Sequence, residues 1–249
     1  MGAQRPEADF GNPLITKLER FAVLSRQDRE AIIGACRNLR EFQPLEDIIS
    51  DGARPDHVHL MLRGWAARYK VVEGGARQFT AYLIPGDFCD LHVTILKQMD
   101  HGIIALTPAT VAYIAHGEVR ALTEERPALT RALWWATLVD EGVLRAWIVN
   151  LGRREAYERI AHLMCEMHVR MKNVGLVDDG AFSLPLTQEQ LADTLGLTPV
   201  HVNRMLKRLR SEGLIELRGR RLTILDVAAL SEASGFNPSY LHAQADAAA

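Results

Sequence analysis

The residues best suited to chemistry lie between Thr187 and Arg210, and the chemistry they suit is hydrogen bonding to a nucleic-acid duplex. Thr187 with Gln190 three residues on is the signature of a capping box that opens a helix. Leu191 and Leu195 give that helix one apolar face, and Gly196 ends it. Thr198 then caps a second helix, with Pro199 at its first position, where a missing N–H costs nothing. Two short helices joined by a tight glycine-containing turn predict a helix-turn-helix. At about 100° per residue, Val202, Met205, Leu206 and Leu209 fall on one arc of the second helix and must face a core. Val200, His201, Asn203, Arg204, Lys207 and Arg208 occupy the opposite side. That side starts at the helix's amino-terminal end, where a recognition helix meets base edges. Arg204 is placed as a bidentate reader of guanine, and Asn203 as a partner for adenine. Lys207 and Arg208 lie further along and suit phosphate. A solvated basic helix face is the plainer reading; the caps, the turn and the placement of Arg204 favour DNA recognition.

After Gly213, apolar residues alternate around Arg218-Gly219-Arg220 and predict a hairpin, the wing of a winged helix. From Thr198 to Leu222 the acids are Glu212 and Glu216, against a basic set of Arg204, Lys207, Arg208, Arg210, Arg218, Arg220 and Arg221. The surplus of positive charge predicts phosphate binding with a steep salt dependence. The whole chain of 249 residues has a formal net charge of -2, so the average conceals this local concentration.

The elements that must position these residues fall into three blocks. Residues 14–38 read as two helices, with Leu14, Leu18, Phe21 and Ala22 at helical spacing, then Ser25 before Ile32, Ile33 and Cys36. From about 40 to 118 short strands alternate with Gly and Pro. Runs such as Val58–Leu62, Ala67–Val71, Phe79–Leu83, Ile103–Leu106 and Val111–Ala115, with a turn at Glu73-Gly74-Gly75, predict an antiparallel barrel or sandwich. From Pro127 to Val149 a long helix carries apolar residues nearly all the way round, so it needs partners on two sides. It is either a core helix or, the favoured reading, a helix that pairs with its copy in a homodimer. Asn150-Leu151-Gly152 reads as a hinge, followed by a helix to about Lys172 and a loop or short hairpin at 173–185. The expected division is 1–126 for a roll with its amino-terminal helices, 127–152 for the dimer helix and hinge, and 153–249 for the DNA-binding part. The fold class is α+β.

Several classes are disfavoured. The longest stretch free of Asp, Glu, Lys and Arg, between Asp100 and Glu118, is too short and too polar to span a bilayer. Arg5, Glu7 and Asp9 precede any apolar run, unlike a secretory signal. Cys36, Cys89 and Cys165 are odd in number and far apart, which fits reduced thiols in the cytoplasm rather than a disulfide scaffold. There is no nucleophile elbow, phosphate loop or HExxH, so an enzyme is not expected; an adaptor using the same fold for protein contacts is the other rival.

A glycine-rich roll, a long central helix and a winged helix-turn-helix in that order resemble the Crp/Fnr family of bacterial transcription regulators. The resemblance covers nearly the whole chain and is strongest at Leu186–Ile215 and at Leu83-Ile-Pro-Gly-Asp87, which is similar to the family's cyclic-nucleotide-binding-like domain. It implies a homodimer on double-stranded DNA with a near-palindromic operator, RNA polymerase as a further partner, and an effector that reorients the DNA-binding domains. Arg204 matches the family's base-reading arginine. The position of Val200 carries an acid in the family's common pattern, so no carboxylate is present here to accept from cytosine.

The resemblance places an effector pocket at Gly86, Asp87, Phe88, Asp90, Leu91, Asp100 and His101. Family members that bind cyclic AMP hold its phosphate with an Arg followed by a small hydroxyl residue, and its ribose with a Glu. Between Arg77 and Arg120 this chain has no arginine and only Lys97; Asp90 falls near the ribose acid, and Asp100 and His101 replace the clamp. A phosphodiester there would lose its charge-assisted pair and face a carboxylate, so cyclic AMP is not expected as the effector. A cyclic-nucleotide response through an atypical pocket is an alternative reading. So is haem or metal-dependent gas or redox sensing, drawing on Cys89, His92, His57, His59 and His101. The amino-terminal cysteines of the iron–sulfur members are absent, and no resident metal or cofactor is expected.

Overall fold

The computed structural model describes residues 11–242. Arg5, Glu7 and Asp9, read above as arguing against a secretory signal, lie outside them. The chain opens with α1 (Pro13–Leu18), capped by the Asn12 side chain, and α2 (Arg26–Ala35), where Ser25 and Asp28 form a reciprocal capping box. Seven strands follow: β1 (Leu39–Phe42), β2 (Asp47–Ile49), β3 (His57–Arg63), β4 (Ala66–Val71), β5 (Arg77–Leu83), β6 (Gly102–Ala105) and β7 (Ala109–Ala115). They form two antiparallel sheets, in the order β1-β7-β3 and β2-β6-β4-β5. The five runs read from sequence are β3 to β7. The strand texture ends earlier than expected, because α4 (His116–Glu124) begins directly after β7. A single-turn helix, α3 (Val93–Leu96), interrupts the roll before β6.

Helix α5 (Pro127–Arg153) matches the expected long helix. Trp135, Val139, Val143 and Trp147 bury one side of it, while Trp134, Leu138 and Ile148 stay 72%, 56% and 70% exposed. This chain covers one of the two sides that the sequence marks as apolar and leaves the other exposed. Helix α6 (Ala156–Asn173) returns from the hinge, and β8 (Ala181–Ser183) forms in the segment read as a loop or hairpin. Then come α7 (Gln188–Leu195), α8 (Pro199–Ser211), and the wing strands β9 (Ile215–Arg218) and β10 (Arg221–Ile224). β8 joins them as a third antiparallel strand, in the order β8-β10-β9. Gly196 ends α7 at φ +62°, a left-handed backbone that a side chain would strain.

The chain closes with α9 (Val227–Ser234) and a short 3-10 turn, Pro238–Leu241, which packs on α5. A Cβ on Gly142 of α5 would come within 2.8 Å of the Tyr240 carbonyl, so a glycine there permits this contact. One continuous core runs through roll, α5, α6 and winged helix. Among the described residues no helix is long and apolar enough to cross a membrane.

Candidate nucleic-acid interface and effector pocket

The caps that position the interface form as their residues dictate. Thr187 N–H donates to Gln190 Oε1 at 2.8 Å, and Thr187 Oγ1 accepts from Gln190 N–H at 3.1 Å. Thr198 Oγ1 accepts the His201 N–H at 3.2 Å, and Pro199 occupies the first turn. Val202, Leu206 and Leu209 are buried, and Met205 packs against the same core. The opposite arc is free. Val200 is 80% exposed, and the side chains of Asn203, Arg204 and Lys207 hydrogen-bond to no other described residue.

Arg208 is placed differently. Its Nε donates to Glu212 at 2.8 Å, and its guanidinium lies 4.3 Å from the Tyr157 ring centre. Tyr157 Oη also donates to Glu212. These bonds hold the Glu212 carboxyl below its usual range, so it is ionised beside the arginine. Arg208 therefore fastens α8 to the start of α6. On the wing, Arg218 pairs with Glu216 at 2.6 Å, and Arg221 lies 3.6 Å from Asp178, whereas Arg220 has no ion-pair partner among the described residues.

The first helix of the motif is docked on the roll. Arg77 of β5 donates from Nε and Nη2 to Asp193 at 2.9 and 2.8 Å, and Gln78 donates to the Thr194 carbonyl at 2.9 Å. Buried Tyr82 hydrogen-bonds the Thr194 hydroxyl. Sequence reasoning missed this contact, and nothing local signals it.

The seven residues assigned to the effector pocket do not converge. Gly86 donates its N–H to the Met61 carbonyl at 2.8 Å. Asp87 is buried, and Lys17 of α1 and Arg170 of α6 donate to it at 2.6 and 2.7 Å. Burial opposes its charge, but the two cations and the Ile84 N–H overcome that and hold its pKa at about 2. Arg170 also reaches Glu166 at 3.5 Å, and buried Glu166 accepts from Trp147 Nε1 at 3.0 Å and Tyr240 Oη at 2.9 Å. Burial raises the Glu166 pKa against these donors. Asp90 is also buried, and accepts from the backbone and the Nδ1 of His59 at 2.7 Å each. Phe88 lines a wholly apolar cavity of about 20 Å³ with Leu14, Leu18, Ile114 and Leu133. That is room for a water-sized sphere, not a nucleotide. Leu91 is half-buried just before α3.

Asp100 and His101 do come together, at 2.6 Å, and the His92 ring lies tilted to that of His101 with ring centres 5.7 Å apart. His101 Nε2 is buried and has no hydrogen-bond partner among the described residues. Burial pushes the pKa of both imidazoles down, with the Arg68 guanidinium adding to it. Arg68 also donates to the Phe88 carbonyl at 2.9 Å and to Asp140 of α5 at 3.3 Å. Sequence reasoning named neither Arg68 nor Asp140. Among the described residues no group of three or more His, Cys, Asp and Glu side chains is placed to hold a metal ion. Cys36, Cys89 and Cys165 are buried free thiols.

Residues 39–126 match the cyclic nucleotide-binding domain, and residues 158–233 match the Crp-like helix-turn-helix domain. The transcriptional activator protein FnrL of Cereibacter sphaeroides is 30% identical over 220 residues, covering 86% of this chain and 88% of the relative. The nitrogen fixation regulation protein FixK of Bradyrhizobium diazoefficiens is 28% identical over 199 residues, covering 76% of this chain and 83% of that protein. The solved structure of FixK2 from Bradyrhizobium japonicum superposes with a TM-score of 0.71 at 24% identity, over 79% of this chain and 96% of that one, and so shares the fold. The relatives are transcription regulators rather than enzymes, and with its helix-turn-helix and roll this DNA-binding chain belongs to the Crp/Fnr family of transcription regulators.

Proposed function

We propose that this regulator acts in the cytoplasm as a homodimer joined along α5, with residues 1–126 as sensor, 127–152 as dimer helix and hinge, and 153–249 as DNA reader. Each α8 enters a major groove, so the operator is a near-palindrome with half-sites about one helical turn apart. Arg204 reads guanine and Asn203 reads adenine; Lys207 and Arg220 grip phosphate. Thr187, Thr198, His201, Arg208 and Arg218 border the duplex, and the first two present capped helix starts to it. RNA polymerase is the expected further partner. The observation that carries this reading is the set of unpaired polar side chains along one face of α8, opposite a fully packed one. Arg204→Ala should weaken operator binding by about 1–3 kcal/mol and relax the preference at one base pair. A gel-shift series over variant operators checks this, and unchanged selectivity overturns it.

The effector is not cyclic AMP in this reading. The roll offers an Asp100–His101 pair and a depressed His92 rather than an arginine clamp, and the arginine nearby, Arg68, is engaged with carbonyls and Asp140. Calorimetry should detect no cyclic AMP binding at micromolar concentration, and saturable heat in that range overturns the assignment.

A further inference from the structure

The free face of α8 contains one residue that cannot hydrogen-bond. Val200 sits in the first turn, 80% exposed, and the buried residues of that helix, Val202, Leu206 and Leu209, are on the other side. Val200 and Arg204 are four residues apart, so their side chains share a face, with Asn203 beside them. The rise between them is about 6 Å, equal to one or two base-pair steps. Whatever base Arg204 reaches, Val200 meets an edge within two base pairs of it.

The chemistry of that meeting is restricted. In the major groove guanine offers acceptors, cytosine an amino donor, adenine one of each, and thymine an acceptor with a 5-methyl group. A valine side chain can satisfy none of the polar groups. Placed against a cytosine or adenine amino group it removes water from a donor and returns no acceptor, which carries a penalty. Against the thymine methyl it gains apolar contact and covers no amino donor. The exposed, positively charged surround brings phosphate to this face without fixing which base lies under Val200. We infer that Val200 is a specificity-determining residue, and that it selects thymine by its 5-methyl group within two base pairs of the guanine read by Arg204. The inference rests on α8 being the recognition helix.

Operators are first selected from random duplexes with the full chain. Binding is then measured on the selected site with each thymine replaced singly by deoxyuridine, which removes only the methyl. One thymine per half-site, close to the guanine whose preference is lost in Arg204→Ala, should show about a fourfold loss with the parent protein, the effect of one methyl group. Val200→Ala, whose single methyl is set further back from the base, should show a smaller thymine-over-uracil difference at that position than the parent, and Val200→Glu should shift the preference there to cytosine. Both variants alter an exposed side chain, and circular dichroism melting checks that they fold as the parent does. Equal sensitivity of parent and Val200→Ala at every thymine overturns the thymine assignment while leaving the recognition helix intact. Absence of any sequence preference in the parent overturns both.

Discussion

At the scale of the residue, the feature with the clearest solution consequence is His162. It is 2% exposed on α6, its ring centre lies 5.1 Å from Phe236 and 6.0 Å from Tyr240, and its Nδ1 has no partner among the described residues. Burial, followed by the nearby Arg154 charge, brings its pKa down to about 4 from 6.5. The folded imidazole is neutral where the unfolded one takes a proton, so its contribution to stability is present above pH 6.5. That contribution is lost as the pH falls towards 4, up to about 3 kcal/mol. His92, His101 and His168 are shifted the same way. Urea denaturation at pH 7 and pH 4.5 should show a marked loss at the lower value, and His162→Phe should reduce it. An equal loss in parent and variant would remove His162 from this account. None of this was legible in the sequence, where His162 is one imidazole among nine. Its surroundings are set by residues about seventy positions away. Arg204 and Asn203 were legible, because a face of a helix is defined by neighbours three and four residues apart.

At the scale of the element, the same contrast recurs. Helices α7 and α8 could be read to within a residue because caps and the Gly196 stop are local chemistry. Helix α4 was hidden: Ala115 stands at its amino-terminal cap with no side-chain acceptor, and the sole sign is Glu118, which accepts the Ala115 N–H at 3.1 Å. Strand β8 is three residues long and owes its existence to β10, about forty residues on. The assigned effector pocket failed to gather for a related reason. Asp87 was placed by resemblance, and its actual partners, Lys17 and Arg170, lie 70 and 83 residues distant. These ion pairs join the roll, α1 and α6, so they fix how α6 sits on the roll. Removing one member of a buried ion pair leaves charge without compensation, at a cost of about 3–5 kcal/mol. Asp87→Asn should destabilise the chain by that order in denaturant titration at pH 7, whereas Arg26→Ala, which breaks an exposed pair with Glu30, should cost under about 1 kcal/mol. If the two variants melt alike, the buried cluster does not hold the domains.

At the scale of the whole molecule, the exposed strip of α5 and the charge of α8 act together. Trp134, Leu138 and Ile148 recur at helical spacing along a single face, with the Glu141–Arg145 pair between them. Leu138→Glu should halve the mass seen in sedimentation equilibrium and weaken binding to a full palindrome by more than about a hundredfold, since the second half-site is no longer delivered at high local concentration. The salt dependence of the dimer can then be argued from the ion pairs. Read from sequence alone, every basic residue from Arg204 to Arg221 is available to phosphate. Within the fold, Glu212 accompanies Arg208, Glu216 accompanies Arg218, and Asp178 lies near Arg221. Each carboxylate would approach the phosphate along with its cation and cancel the gain. On the proposed reading Arg204 meets a base edge. Lys207 and Arg220, with Arg210 beside them, would then be left for phosphate in each subunit of the proposed dimer, on the order of six contacts. With a slope of about −0.9 per contact, log Kobs against log salt should fall with a slope near −5, and Glu216→Gln should steepen it by freeing Arg218 in both halves. A parent slope near −11 would mean that DNA strips the arginines from their carboxylates on binding, and the ion pairs of the free protein would then have no bearing on its affinity.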